Sequence, residues 1–163
     1  MINYVRGCVV EKAKQIHKST GQWVTIPHIV NNKGYWGSGV VIPIGNEWPQ
    51  AKQRYLSGWE KEKLGYNQYI NIIQNGNICY TVVNMFAQDG ISSKSTGDRK
   101  DVVYKPLKYA HLIRCMEAVS DLGDHIVCPK FGSLRAGGNW DFIEELIEEL
   151  WCPHKEVTVC EYE

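Results

Sequence analysis

A mixed α/β fold in one domain is predicted by three features of this 163-residue chain. Strand-like runs alternate with amphipathic helical ones, two neighbouring strands are joined by a tight turn, and glycine-rich loops lie where strands hand over to helices. Alternation argues for parallel strands with helical crossovers, and the hairpin makes at least one pair antiparallel, so the sheet is mixed. Residues 1–163 fit one core, because chains of this length rarely split in two. With 44% apolar and 22% charged residues the chain is apolar enough to fold.

In chain order, Asn3 to Val5 reads as a first strand and Glu11 to Lys18 as a short polar helix. Trp23 to Val30 is a second, β-branched strand, closed by the loop Asn31-Asn32-Lys33-Gly34. An apolar stretch from Val40 to Ile44 precedes Pro49-Gln50-Ala51, and proline in a first turn suits a helix running to about Leu56. Tyr69 to Gln74 and Ile78 to Ala87 flank Asn75-Gly76-Asn77, the strongest hairpin signal in the sequence. Gln88 to Lys105 is a polar loop. Leu107, Ala110, Ile113, Met116 and Val119 then recur at three-residue spacing, widened by Leu112 and Leu122, as a core-facing helix requires. His125 to Cys128 is a short strand ended by Pro129, and Phe131 to Gly138 is a glycine-rich loop. Asn139 is placed to cap the last helix, in which Trp140, Ile143, Leu146, Ile147, Leu150 and Trp151 share one face and four Glu residues the other. Glu156 to Tyr162 closes the chain as a strand.

Eighteen basic and eighteen acidic residues cancel, which argues against a broadly basic binder of nucleic acid or membrane. The cancellation hides a division: Asn139 to the C-terminus carries −7 and the first 138 residues +7, so an anionic ligand belongs in the first part. The N-terminus shows no signal-peptide pattern, no run is apolar for the ~18 residues a membrane span needs, and an intracellular, cytoplasmic protein without membrane partners is expected. Cys8, Cys79, Cys115, Cys128, Cys152 and Cys160 are scattered through apolar segments and read as reduced thiols. No Cys-x-x-Cys pair occurs, and Cys152-Pro-His154 alone is too small a set for zinc, so no metal is expected.

Chemistry is expected at two loops, His28 to Gly39 and Pro129 to Asn139, each leaving a strand for a helix. Ligands of α/β sheets bind at the carboxyl ends of strands, where glycine lets backbone N–H groups approach phosphate oxygens. Neither loop is a phosphate-binding Gly-Lys-Ser/Thr sequence or a Gly-x-Gly-x-x-Gly fingerprint, and simple turns are the alternative reading.

The run from His28 to Tyr55, with Asn-Asn-x-Gly-x-Trp-Gly-Ser-Gly followed by Trp-Pro-Gln-Ala and a tyrosine, resembles the macro domain family. Thr81 to Gln88, Leu107-Lys108-Tyr109, Cys128 to Gly132 and Ala136 to Trp140 continue the likeness in the family's order over most of the chain. The resemblance is to the small stand-alone branch of ADP-ribose 1″-phosphate phosphatases and ADP-ribosyl hydrolases. It implies a three-layer α/β/α fold with a central mixed β-sheet, a single protomer, no cofactor, and ADP-ribose, a phosphorylated or cyclic derivative of it, or an ADP-ribosylated macromolecule as partner.

Carried over by similarity, Asn31 and Asn32 hold the distal ribose, with an Asx turn as their structural alternative. Trp36 packs beside that ribose, Gly37, Ser38 and Gly39 form the first phosphate loop, and Gln88 adds a contact. Gly132, Ser133, Leu134, Arg135, Ala136, Gly137 and Gly138 close over the diphosphate, Arg135 contributing a charge-assisted fork. His28, matching a histidine at the end of the second strand in the phosphatases, is the first catalytic candidate, with Asn32 beside it. A structural histidine is the competing reading. Asp89 and Asp141 are secondary candidates by proximity, Asp141 being also suited to the helix dipole.

The chain also departs from the family. The hydrolases that remove ADP-ribose from glutamate use a lysine and an aspartate where this chain reads Ile44-Gly45-Asn46 and Arg135-Ala136-Gly137. The aspartate that accepts the adenine amino group is replaced by Gly7-Cys8-Val9. Three activities therefore stand side by side: a metal-independent phosphatase acting on ADP-ribose 1″-phosphate, a reader that binds without turnover, and a hydrolase of ADP-ribosylated protein or nucleic acid.

Overall fold

The computed structural model describes residues 1–92, 102–103, 105–132 and 137–161. The elements are β1 (Ile2–Arg6), α1 (Val9–Thr20), β2 (Val24–Asn31), α2 (Val41–Glu47), α3 (Pro49–Gly58), a 3-10 turn (Trp59–Lys61), β3 (Asn67–Gln74), β4 (Asn77–Gln88), β5 (Ile91–Ser92), β6 (Val102–Val103), α4 (Tyr109–Val119), β7 (His125–Pro129), α5 (Trp140–Leu150) and β8 (Glu156–Glu161). Six strands form one sheet in the order β1-β8-β7-β2-β4-β3, parallel throughout except for β3 against β4. This is the expected mixed sheet. Its hairpin turns on Asn75 and Gly76, at φ 52° and 78°, the left-handed pair that a two-residue turn demands.

The sheet is covered on both faces. Val9, Ala13, Ile44, Ala51, Tyr55 and Phe86 belong to the core beneath α1, α2 and α3, and Leu112, Met116, Ile126, Ile143, Ile147 and Trp151 to the core beneath α4 and α5. Three layers result. The central strands read as nearly continuous apolar runs because neither of their faces meets water. Asn139 caps α5 as expected, its side chain accepting from the N–H groups of Asp141 and Phe142.

Two stretches differ from the sequence reading. Val41–Glu47 is a helix where only an apolar run was expected; Val41 and Ile44, one turn apart, are buried, and packing supplies what this short, Pro- and Gly-bearing segment lacks in propensity. Within the polar stretch 88–105, Ile91–Ser92 and Val102–Val103 pair as short parallel strands. The six cysteines are unpaired thiols, and among the described residues no helix is long and apolar enough to cross a membrane.

A polar ladder crosses the core from β2 through β4 to β3 and α3. His28 Nε2 lies 2.6 Å from Asn84 Oδ1, Asn84 Nδ2 donates to Gln68 Oε1 at 3.1 Å and the Ala51 carbonyl at 3.3 Å, and Gln68 Nε2 donates to the Arg54 carbonyl at 3.2 Å. All three side chains are buried. Burying amides is tolerable only because each is paired, and the pairing fixes where α3 sits on the sheet. Asn84→Ala removes the middle rung and orphans groups on both sides; it should lower stability by about 3 kcal/mol, roughly 10 °C in Tm by thermal melting.

Candidate functional site

Because β2, β4, β7 and β8 run parallel, their carboxyl ends gather along one edge, and the loops leaving Asn31, Gln88 and Pro129 meet there. The first loop is organised by Asn31. Its Oδ1 accepts from the N–H groups of Lys33 at 2.9 Å and Tyr35 at 3.2 Å, and its Nδ2 donates to the Tyr35 carbonyl at 2.7 Å. The buried Tyr55 hydroxyl lies 2.8 Å from both Oδ1 and the backbone oxygen of Asn31, anchoring the loop to α3. The oxygen of Asn31 is thus fully occupied in an Asx turn. Downstream, the Tyr35 ring stands over Gly37, where an added Cβ would fall 2.6 Å from ring atoms. Gly37 and Gly39 are exposed and Ser38 is half-buried, leaving this backbone open at the edge.

Asn32 does different work. Its N–H donates to the Gln88 carbonyl at 3.2 Å, its Nδ2 to Asp89 Oδ1 at 3.0 Å, and its Oδ1 accepts from the Gly90 N–H at 2.9 Å. The half-buried amide therefore clamps the loop after β2 to the turn after β4, and it fixes the orientation of an exposed carboxylate. The Asp89 N–H in turn donates to the Pro106 carbonyl at 2.8 Å. Gln88 bends back on this turn, its Nε2 donating to the Gly90 carbonyl at 3.2 Å.

The second loop has a closed neck. The Gly138 N–H donates to the Gly132 carbonyl at 2.8 Å, and a Cβ on Gly138 would fall 2.4 Å from that oxygen and from the Leu107 side chain. Only glycine fits. Gly137 packs against Lys105, and the Tyr109 hydroxyl accepts from the Asn139 N–H at 2.7 Å just beyond the neck. Ser133, Leu134, Arg135 and Ala136, the loop's expected donors, lie outside the described residues. Asp141 is exposed in the first turn of α5.

Two expected site residues are buried below this edge. His28 is not at the end of β2 but three residues before it, with no exposed surface, its ring edge-on to Trp36 at 5.6 Å. Asn84 spends its amide hydrogens on Gln68 and Ala51, so its oxygen accepts and the histidine proton sits on Nε2; Nδ1 has no partner. Burial away from any carboxylate pushes the ring's pKa down to about 4, partly offset by the Asn84 bond. The ring is neutral and enclosed, with Nε2 committed to Asn84 and the ring packed against Trp36. Trp36, expected beside a ribose, turns beneath the loop and packs on Tyr55 at 5.4 Å, only 7% exposed. Packed among core residues, the indole removes a large apolar surface from water.

No family model and no curated protein matches the sequence. Solved structures do match. A Bacteroides thetaiotaomicron protein is 26% identical, with a TM-score of 0.75 over 99% of each chain. A macrodomain protein from Streptomyces coelicolor is 25% identical, with a TM-score of 0.73 over 100% of this chain and 99% of that one. The chain has the macrodomain fold. A Thermosipho africanus DarTG structure, in complex with ADP-ribose, shares the fold at a TM-score of 0.64 and 10% identity, over 97% of this chain and 52% of that one.

Within the macrodomain fold, the residues that sequence reasoning missed are those whose importance comes from pairing. Tyr55 lies four residues after Ala51 on the buried face of α3, a spacing that signals burial but not its hydroxyl's role under the first loop. Lys105, beside Gly137, carried no motif at all. The lowered pKa of His28 has a checkable consequence. The folded state keeps the ring neutral while the unfolded chain titrates near 6.5, so this stability is complete above that pH and is lost as pH falls toward 4. About 3 kcal/mol should disappear across that window in pH-dependent denaturation, and His28→Gln, which cannot titrate, should flatten the profile. His125, also lowered by burial, adds in the same direction.

Proposed function

We propose that this chain binds ADP-ribose, free, in a phosphorylated or cyclic form, or attached to a macromolecule, along the carboxyl edge of its sheet. The observation that carries the reading is the Asn32–Asp89–Gly90 clamp set beside two glycine loops at that edge. In this reading the distal ribose lies at Asn32 and the diphosphate crosses the backbone of Gly37 to Gly39 and of Gly132 to Gly138. Amide donors at strand ends suit a pyrophosphate without a large net positive charge. Lys105 and Arg135 supply additional positive charge.

The reaction assigned to the site is hydrolysis of ADP-ribose 1″-phosphate. Water attacks phosphorus, the bond from phosphorus to the 1″ oxygen breaks, and that oxygen leaves as the hydroxyl of ADP-ribose. Asp89, whose carboxylate Asn32 orients, takes the proton from water and returns it to the leaving oxygen, a role within reach of an exposed carboxylate hydrogen-bonded on one oxygen. His28 supports the site through Trp36 and Asn84 without touching substrate. A second reading, binding without turnover, draws support from that same burial, which withdraws the histidine from chemistry.

Calorimetric titration with ADP-ribose tests the binding directly, and absence of binding would overturn both readings. Asn32→Ala should weaken affinity about tenfold to a hundredfold. Asp89→Asn, which keeps an acceptor for Asn32, should leave affinity nearly unchanged and lower phosphate release from ADP-ribose 1″-phosphate by roughly 10²-fold or more. Tight binding by the parent chain with no phosphate release selects the reader.

A further inference from the structure

We propose that β3 is an interface between two copies of this chain, which pair edge to edge about a two-fold axis into one continuous sheet, in place of the single protomer the sequence suggests. Among the described residues β3 pairs with β4 alone, so its outer row of N–H and C=O groups has no strand against it. Natural edge strands are guarded by charge, proline or a covering element. β3, Asn-Gln-Tyr-Ile-Asn-Ile-Ile-Gln, has neither a charged residue nor a proline along its eight residues. The opposite edge strand, β1, shows the contrast: it carries Arg6, and its Tyr4 hydroxyl is bonded to Glu144 of α5.

The apolar exposure falls at the same place. Tyr69 is 43% and Ile73 60% exposed, and Tyr66, immediately before the strand, is 60% exposed. Tyr69 and Ile73 lie on the face that α3 does not cover, while Ile70 and Ile72 point beneath α3.

The strand's own pattern selects a second copy as the occupant. A two-fold axis perpendicular to the sheet keeps each face on its own side, so antiparallel partners must share parity. With the axis through Asn71, Tyr69 faces the partner's Ile73, Ile70 faces the partner's Ile72, Gln68 faces the partner's Gln74, and Asn71 faces its own copy. Aromatic with β-branched, isoleucine with isoleucine and amide with amide are favourable cross-strand pairs, and no like charges meet. The sequence is complementary to itself about one residue, and the contact closes after two copies.

Sedimentation equilibrium of the full chain tests this. The expected species is a reversible dimer of twice the 18.6 kDa chain mass. Asn71→Lys and Asn71→Glu, each placing like charges face to face on the axis, should be monomeric with unchanged far-UV circular dichroism, and an equimolar mixture of the two should sediment as the dimer. Asn71 is exposed and its side chain contacts Thr81 on the neighbouring strand. A parent chain that is monomeric at every concentration, a dimer that survives Asn71→Lys, or a mixture that stays monomeric would overturn the proposal. If the charged variants do not fold, Asn71→Cys replaces them: oxidation should cross-link two chains at position 71, where antiparallel partners lie within disulfide reach, and failure to cross-link would count against the interface.

Discussion

The first loop depends on one amide. Asn31 ends β2, and its side chain at once folds the backbone of Lys33 and Tyr35 around itself and meets the Tyr55 hydroxyl from α3. A strand end, a loop and a helix are thereby locked by a group without a formal charge. Because that oxygen has no lone pair to spare, Asn31 cannot both shape the loop through it and accept from a ligand, and the neighbouring Asn32 is left to face outward. Two adjacent asparagines thus divide the labour: one holds the scaffold, and the other presents a carboxylate and an amide at the edge.

Beneath this edge a chain of polar side chains runs through the core. The ladder from His28 through Asn84 to Gln68 and the Arg54 carbonyl is a directed series, each member donating to the next. It is stable because it is almost fully satisfied, the exception being His28 Nδ1. Trp36 packs against one end and Tyr55 against Trp36, so the aromatic layer and the polar ladder together determine how far the first loop stands above the sheet.

Much of the fold could be read from the residues because its signals were local. Asn75-Gly76 dictates a tight turn whatever lies around it, Asn139 caps by bonding N–H groups within three residues of itself, and the helical stripe through Met116 and Val119 is an intrinsic periodicity. The site was less legible because its decisive contacts are not local. Asn32 meets Asp89 across 57 positions, and nothing in either segment announces the other. His28 was placed at a strand end by its likeness to a histidine of the phosphatases, although Trp23 to Val30 already enclosed it; β2 is covered on both faces there, and depth rather than residue type decides what the imidazole can do. Trp36 was assigned to a ligand through its place in a motif, which carries no sign that its ring is buried against Tyr55 and His28.

The neck formed by Gly132 and Gly138 has a bearing on how such a site changes over time. The two ends of the second loop are joined to each other, and the helix start beyond them is capped independently by Asn139, so β7 and α5 are fixed at this junction by contacts that the residues between the two glycines do not supply. Exchanges between the two glycines need not alter the course of β7 or α5, which this bond and this cap hold. Sequence can vary between the two glycines without disturbing the joint, provided the glycines themselves are kept.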